Sequence, residues 1–171
     1  WISPLSGDAP VRLWNDPART PNIYQNFIAH GINLPNAIGE NPLCCPGRSN
    51  ILTGQHSHNN RVIQNRARQF DPAEHIGKAM MEAGYASYYV GKYLNNNQQL
   101  GQWLWPQHDA GWTQLDVIKG VNGDYLDYWL HTKQGNQYVG GVHSTQMIAD
   151  RAVTHLRSTP ANQPVFAALS M

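Results

Sequence analysis

The chain has 171 residues with 12 Lys+Arg against 11 Asp+Glu, a formal charge of +1, so it lacks the basic surplus of a nucleic-acid-binding module. Apolar residues make up 41% and charged residues only 13%, with six Trp and eight Tyr, a composition that buries a core and excludes a disordered chain. No apolar run approaches the roughly 20 residues of a membrane span, and no basic stretch followed by an apolar one opens the chain, so neither a span nor an address is expected.

Residues 1–19 hold three Pro, one Gly and two Trp without periodicity and read as an irregular leading segment. Thr20-Pro21-Asn22 places a capping residue and a first-turn Pro before Ile23, Phe27 and Ile28, and Gly31 stops that short helix. A short strand is expected within 32–38. The turn Asn41 to Pro46 then leads into a helix over 47–53 closed by Gly54, with Cys44 and Cys45 preceding it. Adjacent cysteines make a poor structural disulfide, because their Cα atoms sit nearer than a normal bridge spans. No Asn-x-Ser/Thr sequon is present.

Asp71-Pro72-Ala73-Glu74 offers a cap, a first-turn Pro and an early acid ahead of Ile76, Ala79, Met80 and Ala83, which predicts a helix ending at Gly84. Tyr85 to Val90 reads as a buried strand, with Gly91-Lys92 at its C-terminal end. Residues 95–124, rich in amides, Gly and Trp, read as a long irregular excursion. Strands are expected over 125–130 and 137–142 around a turn at 133–136, then a helix over 144–157 and a buried strand over 165–171. Helix followed by apolar strand twice over predicts an α/β fold with a mainly parallel sheet flanked by helices, which delivers its site from strand C-terminal ends.

The densest chemistry lies in Cys44-Cys45-Pro46-Gly47-Arg48-Ser49-Asn50-Ile51-Leu52-Thr53-Gly54. A cysteine at a helix start meets unsatisfied N–H groups and a positive dipole end, with Arg48 one turn on, which suits a nucleophile or an anion site. On spacing alone the pattern suits a cysteine packed beside a turn equally well. A Cys2His2 zinc site built from Cys44, Cys45, His56 and His58 is a further reading, although the usual Cys-x2-4-Cys spacing is absent.

The stretch resembles the type I sulfatases of the alkaline-phosphatase-like superfamily, whose signature runs Cys-x-Pro-Ser/Ala-Arg-x-x-x-Leu-Thr-Gly. Cys44, Pro46, Arg48, Leu52, Thr53 and Gly54 match, and Gly47 departs from it. Thr20-Pro21-Asn22-Ile23 with Asn36-Ala37 resembles the segment before the signature, and Gly84-Tyr85 through Gly91-Lys92 resembles the family's second signature. Cys44-Cys45-Pro46 with Gly91-Lys92-Tyr93-Leu94-Asn95 is most similar to the N-acetylglucosamine-6-sulfatase branch.

The resemblance implies a partial alkaline-phosphatase-like sandwich, with residues 20–171 an incomplete N-terminal catalytic region whose first strand and C-terminal part are missing and which is inactive in isolation. It implies that a formylglycine-generating enzyme converts Cys44 to formylglycine, whose hydrate attacks sulfur and then expels sulfate from a covalent intermediate. Arg48 would orient and neutralise that group, and Lys92 would hold a sulfate oxygen. The substrate implied is a sulfated sugar or glycosaminoglycan. Leu94 stands where many relatives carry a histidine, so the proton donor is open. His58 aligns with a histidine common in relatives and is a substrate-binding candidate beside a surface alternative. His30, His75, His131, His143 and His155 read as surface or capping residues, and His108 as a conceivable substrate contact.

The family also implies calcium, with formylglycine at position 44 among its ligands; Asp8 and Asp16 are single and are not assigned as the others. Cys45 is expected only to pack. A phosphonate monoester or phosphodiester hydrolase of the same superfamily and an inactive sulfated-glycan-binding relative are the alternatives. A periplasmic, secreted or lysosomal location is what the family implies.

Overall fold

The computed structural model describes residues 16–32, 39–120 and 125–171, so the strand expected within 32–38 and the end of the excursion lie largely outside the described residues. In the first stretch, Asp16 Oδ1 accepts from Ala18 N at 2.9 Å, and Pro21–Ile23 begins a short helix. It continues over Tyr24–Ile28 as a wider turn, closed by Ala29 N donating to Tyr24 O at 2.9 Å.

The second unit is built on a five-stranded sheet. In chain order its elements are α1 (Cys44–Thr53), α2 (Ile76–Glu82), β1 (Ala86–Lys92), α3 (Gly101–Asp109), β2 (Gln114–Ile118), β3 (Asp127–Thr132), β4 (Gly135–Gly140), α4 (Ser144–Ser158) and β5 (Val165–Ser170). Strand order is β4-β3-β2-β1-β5. β1 runs parallel to both β2 and β5, with Lys92 opposite Ile118 and Gly91 opposite Ser170. β3 and β4 add an antiparallel hairpin through a two-residue Lys133-Gln134 loop, so the α/β class stands with a mixed sheet.

β1 is buried on both faces, because helices cover both. On one side Val90, Tyr128 and Leu130 pack with Met147 and Ile148 of α4. On the other, Leu52 of α1 clusters with Tyr89, Tyr93, Trp105, Trp112, Leu115 and Val117. Gly77 opens α2 against the Trp112 ring, where a Cβ would come within 2.5 Å.

Several expectations change. α1 starts at Cys44, before Pro46, because the missing proline N–H falls among the first-turn donors that have no helical partner in any case. α2 starts at Ile76: Asp71 instead closes a local turn with Ala73 N at 2.8 Å, and His75 Nδ1 accepts from Lys78 N as the helix cap. The excursion is largely ordered, holding a 3-10 turn at Asn97–Leu100, α3 and β2. β5 is an edge strand with its residues half-buried or exposed rather than buried.

The histidines are the largest correction. His131 is buried at 7% exposure rather than at the surface, His75 caps α2 as expected but from inside the core at 5%, and His108 is buried at 2%. His131 stacks on Trp105 at 3.7 Å and shares its Nε2 with both oxygens of Asp109. His155 Nε2 meets Asp116 Oδ2 at 2.7 Å, tying α4 to β2. His108 Nδ1 pairs with the Tyr93 hydroxyl at 3.0 Å inside the core. His143 caps α4 as expected, accepting from Thr145 N.

Burial pushes the pKa of His75 and of His108 down from 6.5 to about 4. The unfolded chain therefore takes up protons first: the stabilisation from neutral imidazoles is complete above pH 6.5 and is lost as pH falls toward 4. Each histidine contributes a slope of up to about 1.4 kcal/mol per pH unit in that window. Urea unfolding of the full-length protein at pH 7.5, 6 and 5 should show this decline with net proton uptake on unfolding. A stability that stays level from pH 7.5 to 5 would remove the two buried bases from the account.

Candidate active site

Two elements meet at Cys44, the start of α1 and the end of β1. It is the first residue of α1, half-buried, with a free thiol. Next to it Cys45 turns into the core with no exposed surface, where its Sγ accepts from Asn95 N at 2.9 Å. Burial raises its pKa to about 11, so it stays a thiol, in keeping with the packing role expected of it. Asn65 Oδ1 accepts from Cys45 N at 2.9 Å, satisfying one of the orphan donors of the helix start from twenty residues away. The two cysteines are thereby set in opposite surroundings, one half-buried at the helix start and the other inside the core.

Gly47 has a structural reason. A Cβ there would stand 3.2 Å from Asn41 O, a tight approach of the incoming turn to the first helical turn. Ser or Ala would require that turn to give by a few tenths of an ångström.

Lys92 sits at the end of β1, half-buried, and its Nζ lies 3.5 Å from Cys44 Sγ. Arg48, one turn along α1, does not reach Cys44 through a hydrogen bond here. Its Nη1 donates to Lys92 O at 3.0 Å, to Tyr89 Oη at 3.4 Å and to Ser170 Oγ. Helix start, ammonium and guanidinium together make a cationic corner at the C-terminal edge of the sheet, which suits a group of divided negative charge.

Other sequence candidates fall elsewhere. His58 is exposed in the helical turn Ser57–Asn60 beyond α1, stacked on His56 at 5.5 Å. Ten residues of helix separate that end from Cys44, about 15 Å of rise. His56 faces Glu40, whose Oε2 also accepts from Ser57 N and Asn50 Nδ2. The zinc reading fails, since Cys45 points inward and the histidines lie past the far end of α1. Leu94 is a core residue at 1% exposure and takes no part in the site. Asp16 is occupied by Ala18 N and Arg19, and Asp8 lies outside the described residues. Among the described residues no group of three or more His, Cys, Asp or Glu is placed to hold a metal, so they do not by themselves fit the calcium the resemblance implies.

Tyr89 and Ser170 were not singled out from the sequence. Tyr89 lies inside the matched second signature, three residues before Lys92, but Ser170 is 122 positions from Arg48 and carries no local signal.

An α/β unit thus sets a helix-start cysteine beside a strand-end lysine at the C-terminal edge of its sheet. The Sulfatase family model matches residues 7–171, and the chain belongs to that family. It is 28% identical over 166 residues to an arylsulfatase of Volvox carteri, covering 90% of this chain and 25% of that protein. It is 27% identical over 150 residues to an N-acetylglucosamine-6-O-sulfatase of Bacteroides thetaiotaomicron, covering 85% and 24%. BT4656, solved in complex with its substrate D-glucosamine-2-N,6-O-disulfate, superposes with a TM-score of 0.64 at 25% identity, over 79% of this chain and 26% of that one. The chain thus spans about a quarter of the length of these relatives.

Proposed function

We propose that the protein carrying this chain hydrolyses a sulfate ester on a sugar or glycosaminoglycan, with residue 44 converted to formylglycine as nucleophile. The observation that carries this reading is the 3.5 Å approach of Lys92 Nζ to Cys44 Sγ, on the two segments that match the family's signatures. Formylglycine at position 44 would supply a hydrated aldehyde, with one oxygen to attack sulfur and a second to release sulfate. The chain's own groups supply the electrostatics. Lys92 neutralises a sulfuryl oxygen as charge develops on it, and Arg48 one turn along α1 adds a second positive charge at the same corner.

His58 is retained as a candidate contact for a more distant part of the substrate. Modification of Cys44 requires a formylglycine-generating enzyme as partner. Calcium needs oxygen ligands beyond those described here, and no step above passes through it. The relatives include a protein called an extracellular sulfatase, which supports a location outside the cytosol.

The test is turnover of an aryl sulfate against an aryl phosphodiester by the full-length protein. Preference for the sulfate is expected, and preference for the phosphodiester would replace this reading by the phosphodiesterase one. Lys92→Ala should lower kcat and kcat/KM together by about 100-fold or more, because its contact strengthens as charge develops. Wild-type rates in that variant would remove Lys92 from the site.

A further inference from the structure

Arg48 and Lys92 have no carboxylate within ion-pair distance among the described residues. What holds the guanidinium is a set of neutral acceptors. Its Nη1 donates to the Lys92 carbonyl, the Tyr89 phenol and the Ser170 hydroxyl. The phenol in turn donates to the same Lys92 carbonyl at 2.8 Å, so that carbonyl receives two donors from two elements. The Tyr89 ring is fixed edge-on against Tyr93 and Trp112, at 5.1 and 5.2 Å between centroids, and only 4% of the residue is exposed. Ser170 ends β5 directly opposite Gly91.

We propose that Tyr89 and Ser170 are positioning residues of this site: two uncharged hydroxyls that hold Arg48 against the end of β1 and so fix where Lys92 stands relative to Cys44. The inference rests on the reading of residue 44, Arg48 and Lys92 given above. Its physical logic is in the choice of partner. A carboxylate would hold Arg48 more strongly but would cancel the positive charge an anionic ester needs. Hydroxyls and a carbonyl satisfy the donors and leave both charges available. Burial pushes the Tyr89 phenol pKa up, which keeps it neutral and able to donate.

Tyr89→Phe keeps the ring packing and removes only the hydroxyl, and Ser170→Ala removes the second acceptor without touching the core. In the full-length protein each should lower kcat by about 10- to 100-fold through misplacement of the cations, with KM, melting temperature and aldehyde content at residue 44 little changed. A merely structural role is separated by a double-mutant cycle. With Arg48→Lys the planar fork is gone, so adding Tyr89→Phe should cost less than about twofold more.

Full activity in both hydroxyl variants, or the same fold loss for Tyr89→Phe with Arg48 as with Arg48→Lys, would overturn the positioning role. The cycle is read on whichever aryl ester the wild type hydrolyses, so a preference for phosphodiester defeats the substrate reading while the coupling still decides this one. A protein that hydrolyses neither ester and keeps a thiol at residue 44 would overturn both.

Discussion

Replacing Cys44 by Ala in the full-length protein is expected to abolish turnover, by at least about four orders of magnitude, while leaving the fold intact. The thiol is half-buried and its one hydrogen-bonding contact among the described residues is the Lys92 ammonium, so the substitution opens no core cavity and stability should move by less than about 1 kcal/mol. The neighbouring cysteine supplies the control. Cys45 is fully buried and accepts from Asn95 N, so Cys45→Ala leaves a small cavity and an unpaired N–H and should cost about 1–3 kcal/mol. Two adjacent, chemically identical side chains should thus give opposite phenotypes: chemistry lost with stability kept at residue 44, and stability lost at residue 45. Denaturant unfolding and ester turnover on both variants read this directly. A Cys44→Ala protein that is folded and fully active would sink the mechanism.

Gly91→Ala should give the largest stability loss, about 3 kcal/mol or more. Its φ of +107° lies where an L side chain is strained, and a Cβ would stand 2.0 Å from the Ser170 carbonyl oxygen and 2.9 Å from Ile148. Neither obstacle yields cheaply, because one is the backbone of the paired strand and the other belongs to the packed face of α4. Relief requires β1 and β5 to part at their C-terminal ends, where Lys92 and Ser170 meet Arg48. The variant should therefore lose activity as well as denaturation midpoint. An unchanged midpoint would show that β5 does not approach Gly91 as described.

The candidate site residues were named from motif resemblance, and the α/β class from the alternation of helix and apolar strand. Cys44, Arg48 and Lys92 stand in short motifs that resemble the family's signatures, and the structure brings Cys44 and Lys92 together from 48 positions apart. The strand before Lys92 was legible because Tyr85 to Val90 is apolar on both faces. β2 was not: Asp116 interrupts its apolar run, and only the approach of His155, 39 residues away, shows why an acid is tolerated there. α3 was hidden by Gly101 and Pro106 and by its tryptophans, and it is held by burial of Trp105 and His108. The buried histidines failed for the same reason, since the partners of His131 and His155 are distant in sequence.

The most direct measurement of the central claim is peptide mass spectrometry across residue 44 of the full-length protein, produced in a host that modifies a control sulfatase. Conversion of the thiol to the aldehyde makes that peptide about 18 Da lighter and reactive toward a hydrazide. The expected result is the lighter, aldehyde-reactive peptide, with Cys45 retained as a thiol. An unmodified thiol at Cys44 alongside a fully modified control would contradict the account.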